Sequence, residues 1–173
     1  MPGLLPDTDP NGLLEYSVVF TDRSLNHMSK SFQGVMNDIS STLKQVYNAN
    51  AVVVVPGGGT YGMEAVARQF ATNKKCLVIR NGWFSFRWSQ ILEMGNITPD
   101  ITVMKAQPID SDVQCPALAP APIDEVVERI KAEKPEMVFA PHVETASGML
   151  LPDNYVRALA EATHSIGGLF VLD

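Results

Sequence analysis

The sequence has 173 residues, 46% of them hydrophobic and 18% charged, which fits one domain of ordinary size with a buried core and excludes wholesale disorder. Apolar residues nowhere run on for the roughly 18 positions that a membrane-spanning helix needs. The net charge of −6 arises from 19 acidic against 13 basic residues scattered along the chain, which argues against a nucleic-acid surface, so any bound anion must be held by local geometry.

Residues 1–30, with Pro2, Pro6 and Pro10 among polar residues, read as an N-terminal arm, and 31–173 as the domain proper. From Phe32 to Tyr47 the apolar positions recur at three and four, the period of one helix face, with Ser29 or Ser31 as its cap. Ala51 to Val55 is a β-branched run expected to form a strand covered on both faces. Pro56-Gly57-Gly58-Gly59-Thr60 follows, then Met63, Val66, Ala67 and Phe70 at helical spacing. Cys76 to Ile79 is a second strand, Asn81-Gly82 a turn, and Phe84, Trp88, Ile91 and Leu92 the face of a helix ended by Gly95. Ile101 to Met104 is strand-like. The stretch from Gln107 to Pro122, with Pro108, Pro116 and Pro120, is a loop, and Val126, Val127 and Ile130 mark a short helix. Met137 to Ala140 is a strand, Leu151-Pro152-Asp153 opens a helix with Val156, Leu159 and Ala160 inward, and Leu169 to Leu172 is a buried strand still running where the sequence stops. A central strand is a poor place for a chain to end, so the polypeptide is expected to be part of a longer one or to be completed by another chain.

Strands alternating with helices at this spacing predict an α/β domain, a mostly parallel sheet with helices on both faces. In such sheets the ligand lies outside the carboxyl ends of the strands, which singles out Gly57 to Thr60, Asn81 to Phe84, His142 to Gly148, and Asp173.

Three glycines between a strand and a helix let backbone N–H groups turn toward an anion, aided by the positive end of the helix dipole. A tight turn needing only positive φ explains the same run. A dinucleotide site fits less well: the register of G-x-G-x-x-G is wrong, the strand from Cys76 to Ile79 is followed by Arg80 and Asn81 rather than an acid, and the lysine of a P-loop is missing. Asp173, closing an apolar strand, needs a cationic partner, either as a carboxylate that keeps the ring nitrogen of a bound heterocycle protonated or as a cap for a following helix. Trp83 or Phe84 can stack on a flat ring, the alternative being that Phe84 joins Trp88 in the core. Thr145 and Ser147 offer hydroxyls to a ligand oxygen or to the next helix. His142, with no second histidine or cysteine at ligand spacing, is a poor metal site. Cys76 and Cys115 build neither a disulfide framework nor a metal cluster by themselves, and no signal-peptide pattern opens the sequence, so the cytoplasm is the expected compartment.

Pro56-Gly57-Gly58-Gly59-Thr60-Tyr61-Gly62-Met63-Glu64-Ala65 resembles the glycine-rich phosphate loop and helix start of class V aminotransferases, fold type I enzymes that use pyridoxal 5′-phosphate. Asn26-His27-Met28-Ser29 resembles the entry into the family's first long helix, and Asn81-Gly82-Trp83-Phe84 the turn that delivers its stacking aromatic. His142 to Leu150 is similar to the H-x-E-[ST]-[ST]-[ST]-G segment, and Leu169 to Asp173 to the strand ending in the aspartate that pairs with the pyridine nitrogen. The resemblance implies that Gly58, Gly59 and Thr60 hold the phosphate, Phe84 stacks, Thr145 bonds the ring's phenolic oxygen and Asp173 pairs with the ring nitrogen and serves catalysis.

It further implies amino transfer between a small amino acid of the alanine or serine type and a 2-oxo acid of the glyoxylate or pyruvate type, in a homodimer. The sequence departs from the family in lacking Pro-Gly-Pro near its start. The family's cofactor-bearing lysine, its small domain and its carboxylate-binding arginine fall beyond Asp173. The lysines present, namely Lys30, Lys44, Lys74, Lys75 and Lys105 at helical or strand-start positions and Lys131 and Lys134 at the exposed end of a charged helix, are read as remote from the site loops, so the chain alone is expected to be inactive. Two other readings stand beside this one, a class V enzyme of the desulfurase or lyase type and a non-catalytic module that binds a phosphate ligand.

Overall fold

A computed structural model describes residues 30–173; the arm up to Ser29, with the Asn26-to-Ser29 segment, lies outside the described residues, and its last residue, Lys30, is the first of the following helix. The chain divides into two compact units between Val55 and Pro56. In the first, α1 (Lys30–Tyr47) forms as its apolar period requires, yet none of its residues is buried, and Val46 and Tyr47 stand well exposed. The strand expected at Ala51 to Val55 does not form. These residues pair with no neighbouring strand, and Val53 is 83% exposed. β-branching favours an extended backbone, but only a ladder partner turns it into a strand.

The second unit is a four-stranded parallel sheet in the order β2-β1-β5-β8, built from β1 (Cys76–Arg80), β2 (Ile101–Lys105), β5 (Met137–Ala140) and β8 (Leu169–Leu172). Cys76 lies opposite Ile101 and Met137, and Met137 opposite Leu169, so the carboxyl ends of all four strands share one edge. Side chains alternate across a strand, and the core divides accordingly. Leu77, Ile79, Val138 and Ala140 meet α4 (Ile123–Glu133) and α5 (Asp153–Ser165) through Val126, Ile130, Tyr155 and Leu159. Cys76, Val78, Met137 and Phe139 face the other way, onto Ala67 of α2 (Gly59–Phe70) and Trp88, Ile91 and Leu92 of α3 (Trp83–Met94). Trp88 lies on the Phe139 ring with centroids 4.5 Å apart. Burying an indole of this size contributes a few kcal/mol, near ~3–5 by the cost of removing such a ring. The expected α/β architecture, with helices on both faces of a parallel sheet, is the one observed.

Two local expectations are corrected, and a third is met in a particular way. β8 is an edge strand among the described residues, with Leu169 and Leu172 about half exposed rather than buried. Gly95 ends α3 as expected, itself in a right-handed conformation, with Asn96 supplying the left-handed residue. Glycine stands at 95 because a Cβ there would lie 2.5 Å from the Ile91 carbonyl oxygen. The proline-rich loop holds a small hairpin, β3 (Gln107–Pro108) against β4 (Leu118–Ala119), and a second hairpin, β6 (Val143–Glu144) against β7 (Met149–Leu150), follows β5.

Candidate cofactor site

α2 packs on α3 and, like it, runs back toward the amino ends of the strands, so its first turn lies toward the carboxyl edge of the sheet, where Thr60 meets Arg87 of α3. That turn is uncapped: Gly58 is the N-cap, in an extended conformation, and no side chain bonds to the free N–H groups behind it. A turn requirement accounts for only one of the three glycines. Gly57 has φ +136° and lies so close to Tyr61 that a Cβ would fall 2.5 Å from the ring, whereas a Cβ on Gly58 or Gly59 meets nothing within 4 Å. The fold gives no steric reason for glycine at Gly58 and Gly59, and their bare backbone leaves room for an anion to approach the helix start.

Arg87, one turn into α3, adds a positive charge. Its Nη1 donates to Thr60 Oγ1 at 3.4 Å, its Nε is buried with no partner, and it forms no ion pair among the described residues. Sequence reading missed it because it sits within an aromatic helical run.

At the start of α3, Trp83 and Phe84 are 60% and 51% exposed, while Trp88 is buried. The expectation that Phe84 and Trp88 share a core face therefore fails: Phe84 is the second residue of the helix, beyond the sheet edge, so it has no strand to cover it. Beneath it lies Glu144, a fully buried carboxylate. Its Oε1 accepts the N–H of Phe84 at 3.0 Å and of Ala146 at 3.3 Å, and its Oε2 accepts the N–H of Ser85 at 2.8 Å and the Ser85 hydroxyl at 2.6 Å. Ser85 Oγ in turn accepts the N–H groups of Asn81 and Gly82. Burial alone would raise the Glu144 pKa; the bonds from Ser85, Phe84 and Ala146 outweigh it and hold the acid below its ordinary value.

Thr145 is exposed on the turn between β6 and β7, and neither it nor Ser147 caps the next helix, since α5 begins behind Pro152 without a side-chain cap. Asp173 continues the β5–β8 ladder, donating its N–H to the Ala140 carbonyl at 3.0 Å and accepting the His142 N–H at 2.6 Å. The residue as a whole is exposed, yet its carboxyl is desolvated enough for burial to raise its pKa. The Trp88 indole N–H lowers it without reaching hydrogen-bond geometry, and the Glu144 charge raises it further. A cation beside this acid would relieve both penalties.

The lysine reading needs one correction. Lys105 ends β2 rather than beginning it, so it lies on the site edge and lines a surface groove with Asn81, Gly82 and Trp83. It remains three strand spacings from β8, about 14 Å at the usual ~4.8 Å per strand.

The residues present fit a phosphate-bearing pyridine: an uncapped helix start with open glycines for the phosphate, an exposed aromatic for the ring face, an acid for the ring nitrogen. Two orphaned groups at the same edge are consistent with a polar ligand, the Asn81 side-chain amide, 1% exposed with neither atom bonded, and the buried Ser147 hydroxyl.

The comparisons with known proteins point to the same class. No family model matches the chain. The chain is 28% identical over 154 residues to the L-aspartate–glyoxylate aminotransferase of Paracoccus denitrificans, a match covering 86% of this chain and 36% of that protein. Among solved structures it resembles the ureidoglycine–glyoxylate aminotransferase of Bacillus subtilis, with TM-score 0.70, 21% identity, and coverage of 86% of this chain and 36% of the other. It also resembles the pyridoxamine–pyruvate aminotransferase of Mesorhizobium loti, with TM-score 0.69, 16% identity, and coverage of 87% and 36%. The described part of the chain thus shares the α/β fold of these aminotransferases, and the chain spans about a third of the length of the relatives it matches.

Proposed function

We propose that the chain supplies the cofactor-holding part of a pyridoxal 5′-phosphate-dependent aminotransferase, completed by sequence beyond it. The carrying observation is the uncapped, doubly open glycine start of α2 on the same sheet edge as Phe84, Thr145 and Asp173. In this reading the N–H groups from Gly58 to Thr60, with Thr60 Oγ1 and Arg87, bind the phosphate; Phe84 covers one face of the ring; the Thr145 hydroxyl bonds the ring oxygen; and Asp173 holds the proton on the ring nitrogen. When bound, the cofactor supplies an electron-withdrawing ring that makes a proton on an amino acid's Cα removable. The reading includes amino transfer between an alanine- or serine-type donor and a glyoxylate- or pyruvate-type acceptor, a cytoplasmic homodimer, and no activity of this segment alone. No helix among the described residues is long and apolar enough to cross a membrane.

The test is a titration of the chain with pyridoxal 5′-phosphate, followed by absorbance, with inorganic phosphate as competitor. Binding should weaken at least tenfold in Gly59→Val at unchanged melting temperature. In Asp173→Ala, phosphate competition should persist while the spectrum of the bound ring shifts. Equal binding of pyridoxal 5′-phosphate and inorganic phosphate, with no effect of Asp173→Ala, would sink the enzyme reading in favour of a plain phosphate-binding module.

A further inference from the structure

Glu144 stands out as a buried charge that the phosphate, the stacking ring and the ring-nitrogen partner leave unused. We infer that Glu144 is a positioning residue: its carboxylate ties the start of α3 to the 145–148 turn, so that one buried charge sets Phe84 and Thr145 at a common spacing. The inference rests on the cofactor reading for the purpose of that spacing, and on geometry alone for the tie itself.

The geometry is specific. One carboxylate oxygen bridges the two segments, taking the Phe84 N–H from α3 and the Ala146 N–H from the turn, while the other takes both donors of Ser85. Gly82, the N-cap of α3, has no side chain to serve those N–H groups, and a Cβ there would fall 2.7 Å from Glu144 Cδ. A capping acid borrowed from about 60 positions away therefore replaces the local one, and the residue that would ordinarily cap is reduced to glycine to admit it. A helix cap alone would need only the bonds to Phe84 and Ser85. Glu144 belongs to the turn segment itself, so its bonds to Phe84 and Ser85 tie that segment to α3, and its bond to Ala146, next to Thr145, fixes the turn on the same oxygen; together they make it a brace between the two segments that the cofactor reading puts at the ring.

Glu144→Gln separates a brace from a cap. Its amide offers a single acceptor oxygen; Ser85 Oγ already accepts the N–H groups of Asn81 and Gly82 and has no lone pair left for an NH2 group, so the oxygen serves Ser85 and the NH2 group opposes the N–H groups of Phe84 and Ala146. Amide hydrogen exchange on the chain should then show faster exchange at Phe84 and Ala146 together, by tenfold or more. Affinity for pyridoxal 5′-phosphate should fall at least tenfold while affinity for inorganic phosphate, held by α2, stays within twofold. Ser85→Ala, which keeps the Phe84 and Ala146 bonds, is the milder companion should Glu144→Gln fail to fold; it should leave Ala146 protected and the ratio of the two affinities within threefold of wild type. Unchanged exchange at Ala146 in Glu144→Gln, or loss of Ala146 protection in Ser85→Ala, overturns the brace. Wild-type chain that binds phosphate but not pyridoxal 5′-phosphate defeats the cofactor reading instead, and leaves the brace to be judged by the exchange data.

Discussion

Gly82→Ala turns the crowding under α3 into a measurable cost. The backbone there is extended, φ 174°, so alanine meets no conformational penalty, and the effect is steric alone. The new Cβ would lie 2.7 Å from both Cγ and Cδ of Glu144 and 2.9 Å from Oε1, where ordinary contact begins at 3.4 Å. A free side chain would swing aside, but this one is pinned by four donors. Overpacking of this kind costs about 1–3 kcal/mol, and surrendering one bond to a charged acceptor about 1.5–3 kcal/mol. Since retreat relieves the overlap, the two do not add fully, and about 2–4 kcal/mol is expected. At roughly 4 °C per kcal/mol for a domain of this size, the melting temperature should fall by about 8–16 °C. Urea unfolding followed by tryptophan fluorescence, with Trp88 as the buried reporter, measures it. In a Glu144→Ala background, where the space is vacated, the same substitution should cost less than about 0.5 kcal/mol. An equal cost in both backgrounds would refute the steric argument.

The two glycine classes of the α2 turn should behave oppositely: Gly57→Ala, strained at positive φ and against the Tyr61 ring, should lower the melting temperature, whereas Gly58→Ala should leave it within error and weaken phosphate binding. On pH, Glu144 has its folded-state pKa below 4.5, so its stabilisation is complete above the unfolded value and is lost as pH falls through the folded one; the stability gap between wild type and Glu144→Gln should shrink on acidification from about pH 6 to about pH 3. Thiol chemistry should distinguish the two cysteines. Cys76 is buried, and burial, then the charges of Asp100 and Glu136, push its pKa up to about 12, so a thiol reagent should label exposed Cys115 in the folded chain and reach Cys76 only on unfolding.

The regular elements were legible because burial imposes periods on the sequence: Cys76, Val78, Met137 and Phe139 against one helix layer, Leu77, Ile79, Val138 and Ala140 against the other. The glycine turn and Asp173 were legible because each is costly where it stands. What stayed hidden depends on partners distant in sequence. Ala51 to Val55 has strand composition without a ladder. Lys105 differs from its expected place by a strand-end assignment, which period-2 patterning fixes poorly. Glu144 was visible only as a letter in a motif, because nothing local indicates that its partners are Phe84 and Ser85. Arg87 was masked by the aromatics around it.

The borrowed cap also has a temporal meaning. Ser85 and Glu144 are separated by 59 positions, and at about 5–20 residues per second the ribosome takes roughly 3–12 s to deliver the acid after the helix start that needs it. Until then the first turn of α3 keeps its N–H groups in water, and the turn joins the structure only once β5 is in place and β6 has begun. In refolding of the full chain, a contact across 59 positions costs more loop-closure entropy than local ones and should form late, so Ser85→Ala should accelerate unfolding while leaving the refolding rate nearly unchanged. By this reasoning, the segment that would cover a ring is fixed well after the strand it follows, β1, and is among the first parts of the edge to be released.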